Sequence, residues 1–291
     1  MAGFKSIRNL VESEVDLGQS HYSTWRKSPT QTTVSGYWFD LSLSPGNPAP
    51  FYYASTPYES VAMSRSANGG MNHGHPVAPA KKVLRKVMAL ATAATALPLN
   101  IKVLDYLMYY PFIDESLDGE VQPMINTATL PRYSDGKGVQ IMAVVVAGHA
   151  TGLTQTFVCS YTNQDGVSGR TTIPVKLSNQ FVNGTIITTS NNINGTAGPF
   201  IPLQSGDTGV RSIESLTMTG SDVGLMTLVL VKPIGQMSIT GIDAPVEVDY
   251  LKDFSHCPVI EDNAYLNMIC CPLGSLAVTA IHGEITTSWS N

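Results

Sequence analysis

Gly138-Val-Gln-Ile-Met-Ala-Val-Val-Val-Ala-Gly148 is the stretch that decides the fold class. It is apolar except for Gln140 and is bounded by glycine at both ends. A short apolar run rich in valine, closed by turn formers, reads as a strand buried on both faces. The chain beyond it has the same character. Thr154–Thr162, the turn Asn163-Gln-Asp-Gly166 and Arg170–Val175 read as a hairpin. Ser212–Thr219, Leu225–Lys232, Met237–Ile242, Val246–Tyr250, Ala264–Cys271 and Leu276–Trp289 continue the series, set apart by turn residues. Asn183-Gly184 and Asn194-Gly195 are tight-turn dipeptides within it. Short strands spaced by turns over such a length mean a sandwich, jelly roll or barrel.

Toward the N-terminus the signals are more mixed. Gly36-Tyr-Trp-Phe-Asp-Leu-Ser-Leu43 alternates like a strand, Pro45–Pro50 is a loop, and Phe51–Ala54 reads as a second strand. Residues 67–80, with Gly69, Gly70, Gly74, Pro76 and Pro79, form a loop. Ala80–Ala96 is rich in Ala, Leu, Met and Lys and is closed by Pro98, which favours a helix; its Val and Thr residues would also suit a strand. Ile101–Ile113 is densely apolar and aromatic and reads as a buried strand, or a short helix broken before Pro111. Phe4, Ile7, Leu10 and Val11 have helical spacing, but residues 1–35 lack strand alternation. The expected organisation is mainly β. A single β-sandwich or jelly-roll-like core spans 36–291, with one or two short helices. An N-terminal arm or short helix over 1–35 packs on another subunit, or else folds back along its own domain, and adds no strand to the core.

Composition narrows the partners. Of 291 residues only 13% are charged, against about 25% in an average soluble protein. A surface poor in ions is easily covered by another chain, because few charges need desolvating. Lys plus Arg total 17 and Asp plus Glu 22, a net charge of -5, so a nucleic-acid partner is not expected. The one basic cluster, Lys81, Lys82, Arg85 and Lys86, would share one face of a helix and read as a solvated or partner-facing helix end. No apolar stretch follows Lys5 and Arg8 as a signal peptide would require. Val87–Leu97, interrupted by Thr92 and Thr95, is too short for the roughly 20 residues a bilayer demands, so no membrane partner is expected. Cys159, Cys257, Cys270 and Cys271 include no CxxC pair and read as buried free thiols of a chain made in a reducing cytoplasm.

Motifs for chemistry are few. The sequence has no GxSxG, HExxH or P-loop. His73 and His75 could reach one ion from an extended segment, but no third ligand accompanies them. Asp114, Ser116, Asp118 and Gly119 match the first half of a calcium loop; the twelfth position falls on Ile125, which cannot coordinate, so the match reads as an acidic turn. Tyr106, Tyr109, Tyr110 and Phe112 could form a sugar-stacking platform, though such text is more often core or interface. Asp114, Asp118, Glu120, Asp207 and Glu214 are the mid-chain acids to test for the paired carboxylates of a glycan hydrolase. The expectation is a non-enzyme with no catalytic, cofactor-binding or metal residues.

Several strings resemble those of tailed-bacteriophage structural proteins. They are Leu104-Asp-Tyr-Leu-Met-Tyr-Tyr-Pro-Phe-Ile-Asp114, Thr129-Leu-Pro-Arg-Tyr-Ser-Asp-Gly-Lys-Gly138, Ser205-Gly-Asp-Thr-Gly-Val-Arg-Ser-Ile213, Leu228-Val-Leu-Val-Lys-Pro233 and Asn263-Ala-Tyr-Leu-Asn267. The resemblance implies a virion component, preferably a capsid-associated decoration or cement protein that stabilises the phage head. It would contact the major capsid protein or other virion proteins and form homo-oligomers. The alternative is a tail, neck or fibre protein that recognises host glycans. Stacked aromatics and amide side chains in one exposed groove would favour that alternative.

Overall fold

The computed structural model describes residues 4, 6–148, 154–177, 182–187, 198–254 and 256–290. In chain order the first strands are β1 (Ser20–Lys27), β2 (Phe39–Asp40), β3 (Gly46–Asn47), β4 (Val61–Ala62), β5 (Lys81–Ala91) and β6 (Leu99–Asp114). Then follow β7 (Val121–Pro123), β8 (Gln140–Ala147), β9 (Thr156–Asn163), β10 (Arg170–Thr171), β11 (Val175–Lys176) and β12 (Val210–Thr219). The last are β13 (Leu225–Ile239), β14 (Val246–Asp249), β15 (Val259–Ile260), β16 (Leu266–Pro272) and β17 (Ile281–Ser290). Short helices α1 (Ile7–Val11), α2 (Arg65–Asn68) and α3 (Tyr250–Phe254) punctuate them. The fold is mainly β, as expected, with a sandwich-like core of antiparallel sheets.

Three sheets are present among the described residues. Sheet I has the order β14-β5-β17-β1-β3, with β15 also on β5; sheet II is β10-β9-β12-β7, with β11 on β9; sheet III is β2-β16-β6-β13-β8, with β4 on β6. Sheet III is the spine. Its strand β6 is buried without interruption from Val103 to Pro111. Leu99, Ile101 and Val103 pack with Leu84, Val87 and Ile285 of sheet I. Farther along, Leu107 and Tyr110 pack with Phe157, Ile213 and Leu216 of sheet II. Leu104 and Tyr106 lie between these positions in a third cluster with Tyr53, Met63 and Ile186. Period-two alternation, reset by the register shift between Tyr106 and Met108, explains the division: sheets I and II cover successive stretches of one face, and loops cover the other. Both the Gly138–Gly148 run, now β8, and the β9–β10 hairpin form where their residues call for them.

Four local expectations are overturned. Ala80–Ala96 is not a helix: Lys81–Ala91 is strand β5, paired with β17 on one side and β14 and β15 on the other. Helix propensity is a weak prior, and two flanking ladders override it. Residues 1–35 do contribute a strand. Ser20–Lys27 pairs along its whole length with β17, and Trp25 is buried in the chain's own core. Its burial alternates over polar residues, a pattern easily missed where only one face is apolar. The strand expected over 36–43 shrinks to β2 followed by a single 3₁₀ turn, Leu41–Leu43, and Phe51–Ala54 is irregular. Conversely, Leu225–Lys232 and Met237–Ile242 fuse into one strand, β13, with register shifts at Met226/Leu228, Leu230/Val231 and Pro233/Gly235 absorbing the proline. The expected Asn194-Gly195 turn lies outside the described residues.

Buried polar groups tie the spine to its covers. Arg132 donates from Nε and Nη2 to the two oxygens of Asp105 at 2.8 and 2.7 Å, and to the carbonyls of Met63 and Tyr106 at 3.0 Å each. Asp105 also accepts from the Tyr265 backbone N–H at 3.0 Å. One ion pair thus joins β6, the segments before α2 and β8, and the approach to β16. On β1, Lys27 is fully buried and donates from Nζ to the carbonyls of Ser44 and Pro48 at 3.2 and 2.9 Å. Burial pulls its ammonium down from 10.5 to about 8, opposed by the nearby Asp40 carboxylate.

Two predictions follow from these groups. Arg132→Met strands a buried carboxylate, and urea unfolding is expected to show a loss of about 3–5 kcal/mol; a loss below about 1 kcal/mol would exclude the pair as a structural tie. Lys27 has a folded pKa of about 8, below its unfolded value of 10.5, so the unfolded chain holds the extra proton between those pH values. Its contribution therefore disfavours folding below pH 8 and improves as pH rises toward 10.5. Native protein should gain up to about 3 kcal/mol over that window relative to Lys27→Met. Parallel stability–pH curves for the two proteins would contradict this.

Candidate functional site

The residues singled out for chemistry are mostly committed to structure. On β5 the basic cluster no longer shares one helix face, and each member faces a carboxylate. Lys82, buried, donates to Asp262 at 3.2 Å and to the His75 carbonyl at 2.7 Å. Arg85 binds Asp249 and lies 3.5 Å from Glu14; Lys86 reaches Glu247 at 3.0 Å and Lys81 reaches Glu261 at 3.9 Å. His73 is buried between Lys82, 3.4 Å from Nδ1, and the Ala264 carbonyl, 3.0 Å from Nε2. Burial and Lys82 hold its pKa down at about 3, so the ring is neutral, with Nε2 donating and Nδ1 accepting. His75 instead sets its ring against Trp289 at 5.2 Å. Among the described residues no group of three or more His, Cys, Asp or Glu converges as metal ligands.

The acids are similarly engaged. Asp114 accepts from the backbone N–H and hydroxyl of Ser116 at 2.8 and 2.7 Å, and Asp118 from the Gly220 N–H at 2.7 Å. The Ser116 bonds close an acidic turn, and the Gly220 bond ties it to the connection between β12 and β13. Asp207 accepts from Arg170 Nε at 2.9 Å, Tyr161 at 2.6 Å and Asn163 at 2.7 Å; the Arg170 bond is the main cause of its pKa falling to about 2. Glu214 accepts from Ser160, Thr162 and the Gly169 N–H at 3.1, 2.6 and 3.0 Å. Glu120 is exposed. The tyrosine run is core: Tyr106 donates to buried Asp40 at 2.7 Å, Tyr110 to Asn126 at 2.7 Å and Tyr109 to the Ala54 carbonyl at 3.3 Å. Asp40, which also accepts from Tyr53, is fully buried and out of reach of a substrate. The four cysteines are free thiols, with Cys159 and Cys270 buried and Cys257 and Cys271 half-buried.

Two surfaces among the described residues stand apart from these ties. The first lies on α1 and the π-helical turn Glu12–Asp16 that continues it. Ser6 caps the start by accepting from the Asn9 N–H at 3.1 Å. Leu10 and Ser13 face inward, and Glu14 fastens the segment by accepting from Ser288 and pairing with Arg85. Ile7, Val11 and Val15 fall four residues apart on the opposite side and are 70%, 50% and 73% exposed, with Leu17 beyond them at 64%. The apolar spacing of Ile7 and Val11 was visible in the sequence; which face turned outward was not.

The second surface is a groove across the outer side of β6 and β13, which sequence reasoning missed. Its widest section, about 860 Å³, is lined by Trp38, Asn100, Lys102, Gln140 and Phe200 among others. It continues past Trp38 and Lys102 into a section of about 330 Å³ bordered by Gln236, Ser238 and Phe254. Lys102 and Phe254 also border a last section of about 200 Å³. Lys102 Nζ sits 5.6 Å from the Trp38 ring centroid and donates to Gln236 Oε1 at 3.2 Å; Ser238 donates to Asn100 Oδ1 at 2.8 Å. Pairing of Gln236 with Lys102 and of Ser238 with Asn100 across β13 and β6 places the four side by side.

No protein-family model matches the chain, and no curated protein matches it. Among solved structures it is similar to that of infectious bursal disease virus Gt strain, at 8% identity over 98% of this chain and 87% of that one, with a TM-score of 0.20. The infectious bursal disease virus VP2 subviral particle is similar at 9% identity over 97% and 87% of the two chains, with a TM-score of 0.21. T=1 particles derived from infectious bursal virus follow at 10% identity over 96% and 83%, with a TM-score of 0.16. Scores of this size establish neither a shared fold nor a shared function.

Proposed function

We propose that the chain is a non-enzymatic structural subunit of a virion, acting as a decoration or cement protein that packs against capsid subunits and copies of itself. The observation that carries the reading is the outward row Ile7, Val11 and Val15, continued by Leu17, on a segment whose other side is anchored to the chain's own sheet I. Apolar side chains held in a fixed row at this exposure are typical of a surface that another protein covers. The low charge of the chain reduces the desolvation that such a contact requires. The resemblance of the five quoted strings to phage structural proteins supplies the virion setting. The non-enzymatic part is supported by Asp114, Asp118, Asp207 and Glu214, whose oxygens are spent on turns and strand ties. In a shell, each contact can be weak because repetition multiplies it.

The proposed interface is narrower than residues 1–35. Deleting that whole segment would remove β1 and its ladder with β17, so it would test stability and not assembly. The discriminating variant is Ile7→Ser, Val11→Ser and Val15→Ser together. Circular dichroism and thermal melting should be unchanged, since the three side chains are exposed. Sedimentation should show the oligomer, or binding to capsid particles, weakened at least 100-fold, because burying each such side chain contributes about 1.5–3 kcal/mol. Assembly at native affinity would exclude this surface.

A further inference from the structure

We infer that the groove over β6 and β13 is a binding site for a neutral oligosaccharide. This goes beyond the assembly reading, rests on a different surface, and is the feature that favours the alternative of a tail, neck or fibre protein recognising glycans. A pyranose ring offers an apolar C–H face and a rim of hydroxyls that each donate and accept. A complementary site presents aromatic faces beside amides and hydroxyls and carries little charge.

The groove has these parts in that arrangement. Phe200, Trp38 and Phe254 mark its wide section, its middle and its narrow end. Phe254 is backed by a stacked contact with Tyr250, 5.5 Å between centroids, which holds the ring against rotation. Between the aromatics runs the polar ladder of Asn100, Ser238, Lys102 and Gln236. The bonds within it use the amide oxygens of Asn100 and Gln236, so their NH2 groups remain as donors toward the groove. Asn100 and Gln236 are exposed, and the side chains stand on paired strands of the spine sheet. The donors are therefore preset, and a ligand need not order them. The three sections share walls and stay open to solvent, which suits an extended chain of sugar units better than a compact ligand.

Charge selects against the other chain-like ligands. Lys102 is the cation over the polar ladder, and the Asp207 carboxylate at the wide end is occupied by Arg170, Tyr161 and Asn163. A nucleic acid would stack on the same rings but needs several cations along its phosphates. A proline-rich peptide is the closer competitor, because Ile101, Met237 and Val248 also line the narrow section; the ladder of Asn100, Ser238, Lys102 and Gln236 favours the sugar over it.

Titration calorimetry with cellohexaose, maltohexaose and N-acetylchitohexaose tests the inference, with a decaproline peptide and a thymidine dodecamer as controls. At least one hexasaccharide is expected to bind. Trp38→Ala should weaken it at least tenfold, and Asn100→Ala with Gln236→Ala at least tenfold, whereas Trp38→Phe should retain most of the affinity. The two amide substitutions are at exposed positions and keep the test valid if Trp38→Ala fails to fold. Ile7→Ser, Val11→Ser and Val15→Ser should bind the sugar as native protein does, which separates this site from the assembly surface. Absence of binding to all three sugars, binding indifferent to these substitutions, or binding of only the peptide or the DNA would overturn the inference.

Discussion

The structure depends on one strand whose central stretch has no solvent face. β6 is buried continuously from Val103 to Pro111, and its side chains enter all three core clusters. A strand in that position must supply apolar groups on both faces, and any polar group it carries must be paired. Asp105 is the exception that proves costly to leave alone. Arg132 satisfies both of its oxygens and two nearby carbonyls, so the segment before β8 is fixed against β6 by charge as well as by packing. The residues come from two of the strings quoted in the sequence analysis, Leu104–Asp114 and Thr129–Gly138. Neither string showed a role by itself; together they form this buried pair.

The same economy governs the polar residues that looked functional. A chain with few charges uses nearly all of its distinctive ones as ties. Lys82, Asp262 and His73 secure the loop before β5, Asp40 gathers Tyr53 and Tyr106, and Asp207 gathers Arg170, Tyr161 and Asn163. The apolar row on the N-terminal segment and the amide-lined groove use different parts of the chain and call for different ligands. Sheet I carries the first, through Glu14, Ser288 and Arg85, and the spine sheet carries the second. The proposed assembly surface and the proposed glycan groove are compatible in one molecule, because neither consumes the residues of the other.

Local sequence determined the β class, the Gly138–Gly148 strand and the hairpin around Asn163–Gly166, because period-two burial and turn chemistry act between neighbours in the chain. It also marked Ile7, Leu10 and Val11 as helical. Tertiary structure decided the rest. Ala80–Ala96 has helix-favouring residues, yet β14, β15 and β17 supply hydrogen-bond partners on both sides of Lys81–Ala91, and strand wins. Ser20–Lys27 is a strand because β17, some 260 residues later, lies open beside it. The groove joins Trp38, Asn100, Lys102, Gln236 and Phe254 from three distant parts of the sequence. Nothing local relates them, because antiparallel pairing brings together residues whose separation along the chain carries no periodic signal.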